Sequence, residues 1–173
     1  GIGAGCVENQ NKARADLRQL MPFFIVAFVG IIYHLRIRPM AGDDVFFSQA
    51  TSELGLWDYL IQRYETWTSR FVIEFLLVWI IKYPILWRLI DLTLFILFPV
   101  LISKIFDGGK LMDWCAAAAV LLYPFHDMGT AGWITTTVNY FWPVWGMFFV
   151  GFLLKKMLVH KKINIVEGIA GVL

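Results

Sequence analysis

Two adjacent carboxylates, Asp43 and Asp44 in the stretch "RPMAGDDVFFSQ", follow directly on an apolar run that reads as a membrane helix. One carboxylate at a bilayer edge can take a proton from an acceptor hydroxyl, and a pair can hold a hard divalent cation, Mg or Mn, through oxygen ligands. The same two residues suit a helix start, with Asp43 as N-cap and Asp44 as a first-turn acid facing the macrodipole. The sequence leaves both readings open.

A second constellation lies in "ETWTSRFVIE", where Trp67, Arg70 and Glu74 fall at i, i+3 and i+7 on one stripe of a helix. A guanidinium there can grip a phosphate with its planar fork, and an indole can stack on a sugar or anchor the interface. The alternative is an Arg70–Glu74 ion pair at i, i+4 that needs no ligand. Arg88 and Asp91 have a similar spacing and read as a structural ion pair. The third constellation, "HDMGTAGWITTTVNYFWP", combines Gly129 and Gly132 with a run of three threonines, Thr135, Thr136 and Thr137, and with Trp133, Asn139, Tyr140 and Trp142. Hydroxyl, amide and ring-face contacts of this kind are what a carbohydrate requires, and an aromatic belt with a loop attached would look the same. His126 and Asp127 could form a proton-transfer pair, but sequence neighbours rarely face each other. No zinc spacing joins His34, His126 and His160.

The elements that must position these residues are membrane segments. Of 173 residues, 59% are hydrophobic and only 16% charged, and the mean hydropathy is +0.66, well beyond an ordinary soluble domain. The expected fold is therefore all-α, a polytopic transmembrane bundle whose chief partner is the lipid bilayer. Apolar runs cover residues 20–35, 71–81, 85–103, 114–125 and 140–154, about five membrane segments, the second and fourth being short for a span. Residues 1–19 form a polar N-terminal segment. Residues 163–173, "INIVEGIAGVL", resemble the opening of a further membrane helix, so the expectation is an N-terminal part of a longer protein. Between the first two runs, loop 41–69 carries Leu56, Tyr59, Leu60 and Tyr64 on one helical face, which predicts an amphipathic helix on the membrane surface.

Charge sets the topology. Lys12, Arg14 and Arg18 before the first run, and Lys155, Lys156, Lys161 and Lys162 after the fifth, both call for the cytoplasmic side. Five simple crossings cannot satisfy both, so one run must re-enter or lie flat, or one basic cluster must lie outside. Weighting the N-terminal cluster places loop 41–69 on the non-cytoplasmic face. A net charge of +2 and the lack of a basic block interleaved with aromatics exclude a nucleic-acid partner. Cys6 and Cys115 are too far apart in sequence to suggest a disulfide framework or metal spacing.

The order of these motifs resembles a multi-pass GT-C type membrane glycosyltransferase, in a poorly characterised bacterial branch. The likeness rests on "GDD" at 42–44, "W-x-x-R-F" at 67–71 and "W-I-T-x-x-x-N-Y-x-W-P" at 133–143, and it spans residues 23–143. It implies transfer of a sugar from a polyprenyl-phosphate donor to a cell-envelope acceptor in the cell membrane. Asp43 or Asp44 would be the catalytic base, with a divalent cation as a further role for the pair. Arg70 would hold the donor phosphate, and Trp67, Glu74, Trp133, Asn139 and Tyr140 would line the substrate site. A transporter or channel fragment whose Arg70 and Glu74 line a pathway, and a non-catalytic structural subunit, are the competing expectations.

Overall fold

The structure is a computed structural model that describes residues 2–52, 54–123 and 131–159, with side chains from residue 17 onward. Among the described residues it is all-helical. The helices are α1 (Ile2–Arg36), α2 (Asp43–Gln49), α3 (Leu56–Thr66), α4 (Phe71–Ile80), α5 (Pro84–Phe106), α6 (Gly109–Leu121) and α7 (Ile134–Leu158). His126, Asp127, Gly129, His160, Lys161, Lys162 and the run at 163–173 lie outside the described residues.

Among the described residues three helices are long and apolar enough to cross a membrane, in Leu17–Arg36, Pro84–Phe106 and Ile134–Leu158. The expected spans at 71–81 and 114–125 are not confirmed. α4 has 10 residues and α6 has 13, giving lengths of about 15 and 20 Å against a hydrocarbon core of about 30 Å.

The direction of each helix follows from contacts at the two ends of the bundle. Arg88, in the first turns of α5, donates to the Ile37 carbonyl just beyond α1 at 2.9 Å, so α5 begins where α1 ends. At the far end Lys155 near the end of α7 donates to the carbonyls of Lys104 and Ile105, at 3.0 and 2.7 Å, and pairs with Asp107. A lysine here caps the last carbonyls of α5 and opposes the negative end of its dipole. Ser103 of α5 donates to Asp113 of α6, and one cavity brings Gln19 and Leu20 of α1 to the same place. Hence α1 ascends, α5 and α7 descend, and α6 starts the return between them. Arg18, Lys104, Lys155 and Lys156 gather at one end of the bundle, and α2, α3 and α4 pack over the other.

α4 packs against α2, α3 and α7 and leads into the start of α5, so the run at 71–81 lies at the α2–α3 end of the bundle. Its buried face, Leu77, Val78 and Ile80, joins Phe47, Tyr59, Leu60, Trp87, Ile134 and Val138 in one apolar cluster.

A buried polar network ties the three long helices together. His34 of α1 and Asp91 of α5 are 1% and 0% exposed, with Nε2 and Oδ2 2.9 Å apart. Trp142 of α7 donates its indole N–H to Asp91 Oδ1 at 2.6 Å. His34 Nδ1 lies 2.7 Å from the Gly30 carbonyl, which can only accept, so Nδ1 carries a hydrogen. A second proton must then lie between Nε2 and Oδ2, since two facing lone pairs would repel. The pair is net neutral either way, which makes its burial tolerable. α1 and α5 come close here, since a Cβ on Gly30 would meet the Phe95 ring at 2.7 Å. The expected Arg88–Asp91 pair is thus not formed: Arg88 turns to the Ile37 carbonyl and Asp91 to His34 and Trp142.

Candidate functional site

The two acids of the first loop have opposite fates. Asp44 is fully buried. Its carboxylate accepts from the backbone N–H of Met40 at 3.0 Å, of Ile134 at 3.1 Å and of Thr135 at 2.8 Å, and from the Thr135 hydroxyl at 2.7 Å. Ile134 and Thr135 open α7, so Asp44 caps the N-terminus of a helix far along the chain rather than its own. Its own helix α2 is capped by Gly42, not by Asp43. Asp44 therefore has no free oxygen lone pair directed at a substrate, and the expectation that it acts as base or metal ligand is corrected. Asp43, one residue earlier, is exposed and has no hydrogen bond to protein among the described residues.

Gly42 explains why the motif "GDD" meets the motif "WIT". It has φ +54°, and a Cβ built on it would lie 1.9 Å from the Trp133 ring. Only glycine admits both the left-handed backbone and the indole against it. Trp133 is consequently a packing wall behind the loop rather than a lining residue of the cavity.

A cavity of about 300 Å³ opens beside Asp43, lined also by Phe46, Phe47, Arg63, Trp67, Arg70, Glu74, Thr135, Thr136, Asn139 and Tyr140. It collects six of the eight residues singled out from the sequence, leaving Asp44 and Trp133 behind its wall. A larger cavity of about 640 Å³ lies at the opposite, basic end and shares none of these residues.

Glu74 does not pair with Arg70. It is 2% exposed and accepts from Arg63 Nη2 at 3.0 Å and from the Tyr59 hydroxyl at 3.4 Å. Burial, followed by the neighbouring Glu74 charge, pushes the Tyr59 phenol up to about 12, so it remains a donor to the carboxylate. Arg63 thus escaped the sequence reading, because its partner lies on the next helix and no periodicity marks it. Arg70 precedes α4, and its Nε donates to Thr68 Oγ1 at 3.1 Å. The terminal nitrogens of its guanidinium have no acceptor among the described residues.

The wall formed by α7 is irregular. Residues Thr137–Phe141 form one π turn inside the helix, a device that widens the backbone spiral and recurs at functional sites. Asn139 and Tyr140 sit on it. Asn139 donates its Nδ2 to the Thr135 carbonyl at 2.8 Å, which leaves Oδ1 buried without a donor. On the other side of the turn Trp87 donates to Thr137 Oγ1 at 2.8 Å, holding the π segment against α5.

The chemistry available is that of a free carboxylate and a free guanidinium at the rim of one polar cavity, with an unsatisfied amide acceptor within. A cation site at the acid pair does not fit, since Asp44 has spent its oxygens. Among the described residues no group of three or more His, Cys, Asp or Glu side chains converges either. The chain matches no protein-family model, no curated protein and no solved structure.

Proposed function

We propose that the cavity beside Asp43 is the active site of a membrane glycosyltransferase that moves a sugar from a polyprenyl-phosphate donor to a cell-envelope acceptor. The observation that carries this reading is the placing of Asp43 and Arg70, neither with an ionic partner among the described residues, on the same small cavity at one end of three helices able to span a bilayer. In the proposed step Asp43 takes the proton of an acceptor hydroxyl as that oxygen bonds to the anomeric carbon. The bond from that carbon to the phosphate oxygen breaks, its electron pair stays on the phosphate, and Arg70 offsets the charge that develops.

The surroundings support a lipid donor. Phe46, Trp67 and Tyr140 on the rim are 58%, 74% and 62% exposed, and Trp57, Ile61 and Tyr64 form an apolar outer face on α3. Aromatic side chains at this level suit the headgroup region, and α3 lies there as an interfacial helix. α1, α5 and α7 cross the membrane, and the segment led by α6 returns the chain between α5 and α7. The end bearing Arg18, Lys104, Lys155 and Lys156 faces the cytoplasm, so the site opens to the opposite leaflet of the cell membrane.

A transport reading draws on the buried His34–Asp91 pair, since ionisable residues inside a membrane bundle are costly and commonly functional. The two readings separate in one assay. Membranes containing the full-length protein are incubated with radiolabelled polyprenyl-phosphate sugar and with labelled free sugar in sealed vesicles. Covalent transfer of label to an acceptor supports the transferase. Accumulation of unmodified sugar inside the vesicles, with none transferred, supports transport.

A further inference from the structure

We propose that Arg63 is a second ligand for the donor phosphate, acting with Arg70 as a two-guanidinium clamp; this rests on the transferase reading above. Arg63 lines the cavity on α3. Its Nη2 is committed to Glu74, and its guanidinium carbon lies 5.7 Å from the centre of the Phe47 ring and 5.8 Å from that of Trp67. Those contacts fix the plane of the fork. What they do not satisfy is Nε, a buried N–H with no acceptor among the described residues. A buried donor held rigid and left unpaired is costly unless a ligand supplies the acceptor.

Arg70 offers the complement. Thr68 takes its Nε, and its terminal nitrogens are unspent. Arg63 thus holds one unspent N–H and Arg70 its unspent terminal nitrogens in the lining of one cavity, donors that together suit the several oxygens of a phosphate group. Their electrostatic parts differ. Glu74 already neutralises Arg63, so Arg63 supplies a directed donor, whereas Arg70 supplies the charge. Asn139 Oδ1, a buried acceptor without a donor, repels an oxyanion and accepts from a hydroxyl instead. The phosphate is accordingly assigned to the arginine side of the cavity and the sugar hydroxyls to the π turn.

The test titrates the full-length protein in phosphatidylcholine nanodiscs with farnesyl phosphate and with inorganic phosphate, reading tryptophan fluorescence. Arg63→Lys is the decisive variant, because a lysine keeps an ion pair with Glu74 and loses the Nε donor. The wild type is expected to bind, and Arg63→Lys to bind at least tenfold more weakly at an unchanged melting temperature. Should Arg63→Lys fold poorly, the double variant R63Q/E74Q, which removes both charges of the pair, is expected to show the same loss. Tighter binding of farnesyl phosphate than of inorganic phosphate identifies a lipid-linked ligand, and equal binding identifies a free phosphoryl group. Binding by the variants within twofold of wild type overturns the role of Arg63 and leaves the transferase reading standing. A wild type that binds neither probe overturns both.

Discussion

Asp44 and Thr135, 91 residues apart, are joined by two hydrogen bonds to one carboxylate oxygen, from the Thr135 amide at 2.8 Å and its hydroxyl at 2.7 Å. With Ile134 N–H on the other oxygen, this makes Asp44 the latch between the first loop and α7. An amide in its place would turn an N–H toward backbone donors. Asp44→Asn is therefore expected to cost roughly 3 kcal/mol or more, while Asp43→Asn, at an exposed and unbonded position, changes stability by less than about 0.5 kcal/mol. Thermal unfolding of the two variants in detergent checks this, and equal melting temperatures would refute the latch.

Gly42 and Trp133 form the apolar half of the same junction. Gly42→Ala is expected to cost about 2 kcal/mol, through a strained positive φ and a Cβ driven into the indole. In a Trp133→Ala background the steric part vanishes and only the backbone part, about 1 kcal/mol, remains. A double-mutant cycle on unfolding free energies measures the difference; strict additivity would mean that the ring and the glycine do not meet.

Replacing Asp91 by asparagine has a consequence opposite to that at Asp44. Asparagine at position 91 can accept from Trp142 with its oxygen and donate to His34 Nε2 with its amide, replacing the shared proton. Asp91→Asn should lie within about 1 kcal/mol of wild type, whereas Asp91→Leu strands two buried nitrogens and should cost on the order of 3 kcal/mol or more. Unfolding midpoints of the two variants decide it, and a severe Asp91→Asn defect would show that the pair needs its acid.

Topology is testable by impermeant maleimide on intact cells, using single cysteines in a background lacking Cys6 and Cys115. Cysteines replacing Arg18 and Lys156 are expected to share one behaviour, protected until the membrane is opened, and a cysteine replacing Tyr64 to label at once. Labelling of Arg18→Cys and Lys156→Cys from opposite sides would contradict the helix directions drawn here.

The apolar runs were legible because membrane helices are written in composition: each of the five overlaps a helix, and the short ones are those that fall short of a span. Glu74 and Arg70 were legible as unusual but not as separate from each other, because side-chain spacing on one helix cannot reveal Arg63 on another, where Glu74 finds its partner. Asp44 shows the same limit. Its preference for a helix N-terminus was readable, yet the helix it caps begins at Ile134. His34 and Asp91 were separated by 57 residues and matched no metal spacing, so their pairing left no local trace. The π turn at Thr137–Phe141 likewise has no signature in "TVNYF"; it arises where α7 must pack against both Trp87 and the first loop.

The central claim is that Asp43, and not its buried neighbour, removes the acceptor proton. The most direct measurement is the single-turnover rate of sugar transfer from a polyprenyl-phosphate donor by purified full-length protein, for wild type and Asp43→Asn at matched melting temperature. Asp43→Asn is expected to lower the rate about 10²-fold or more, with donor binding retained. Transfer by Asp43→Asn at the wild-type rate would contradict it.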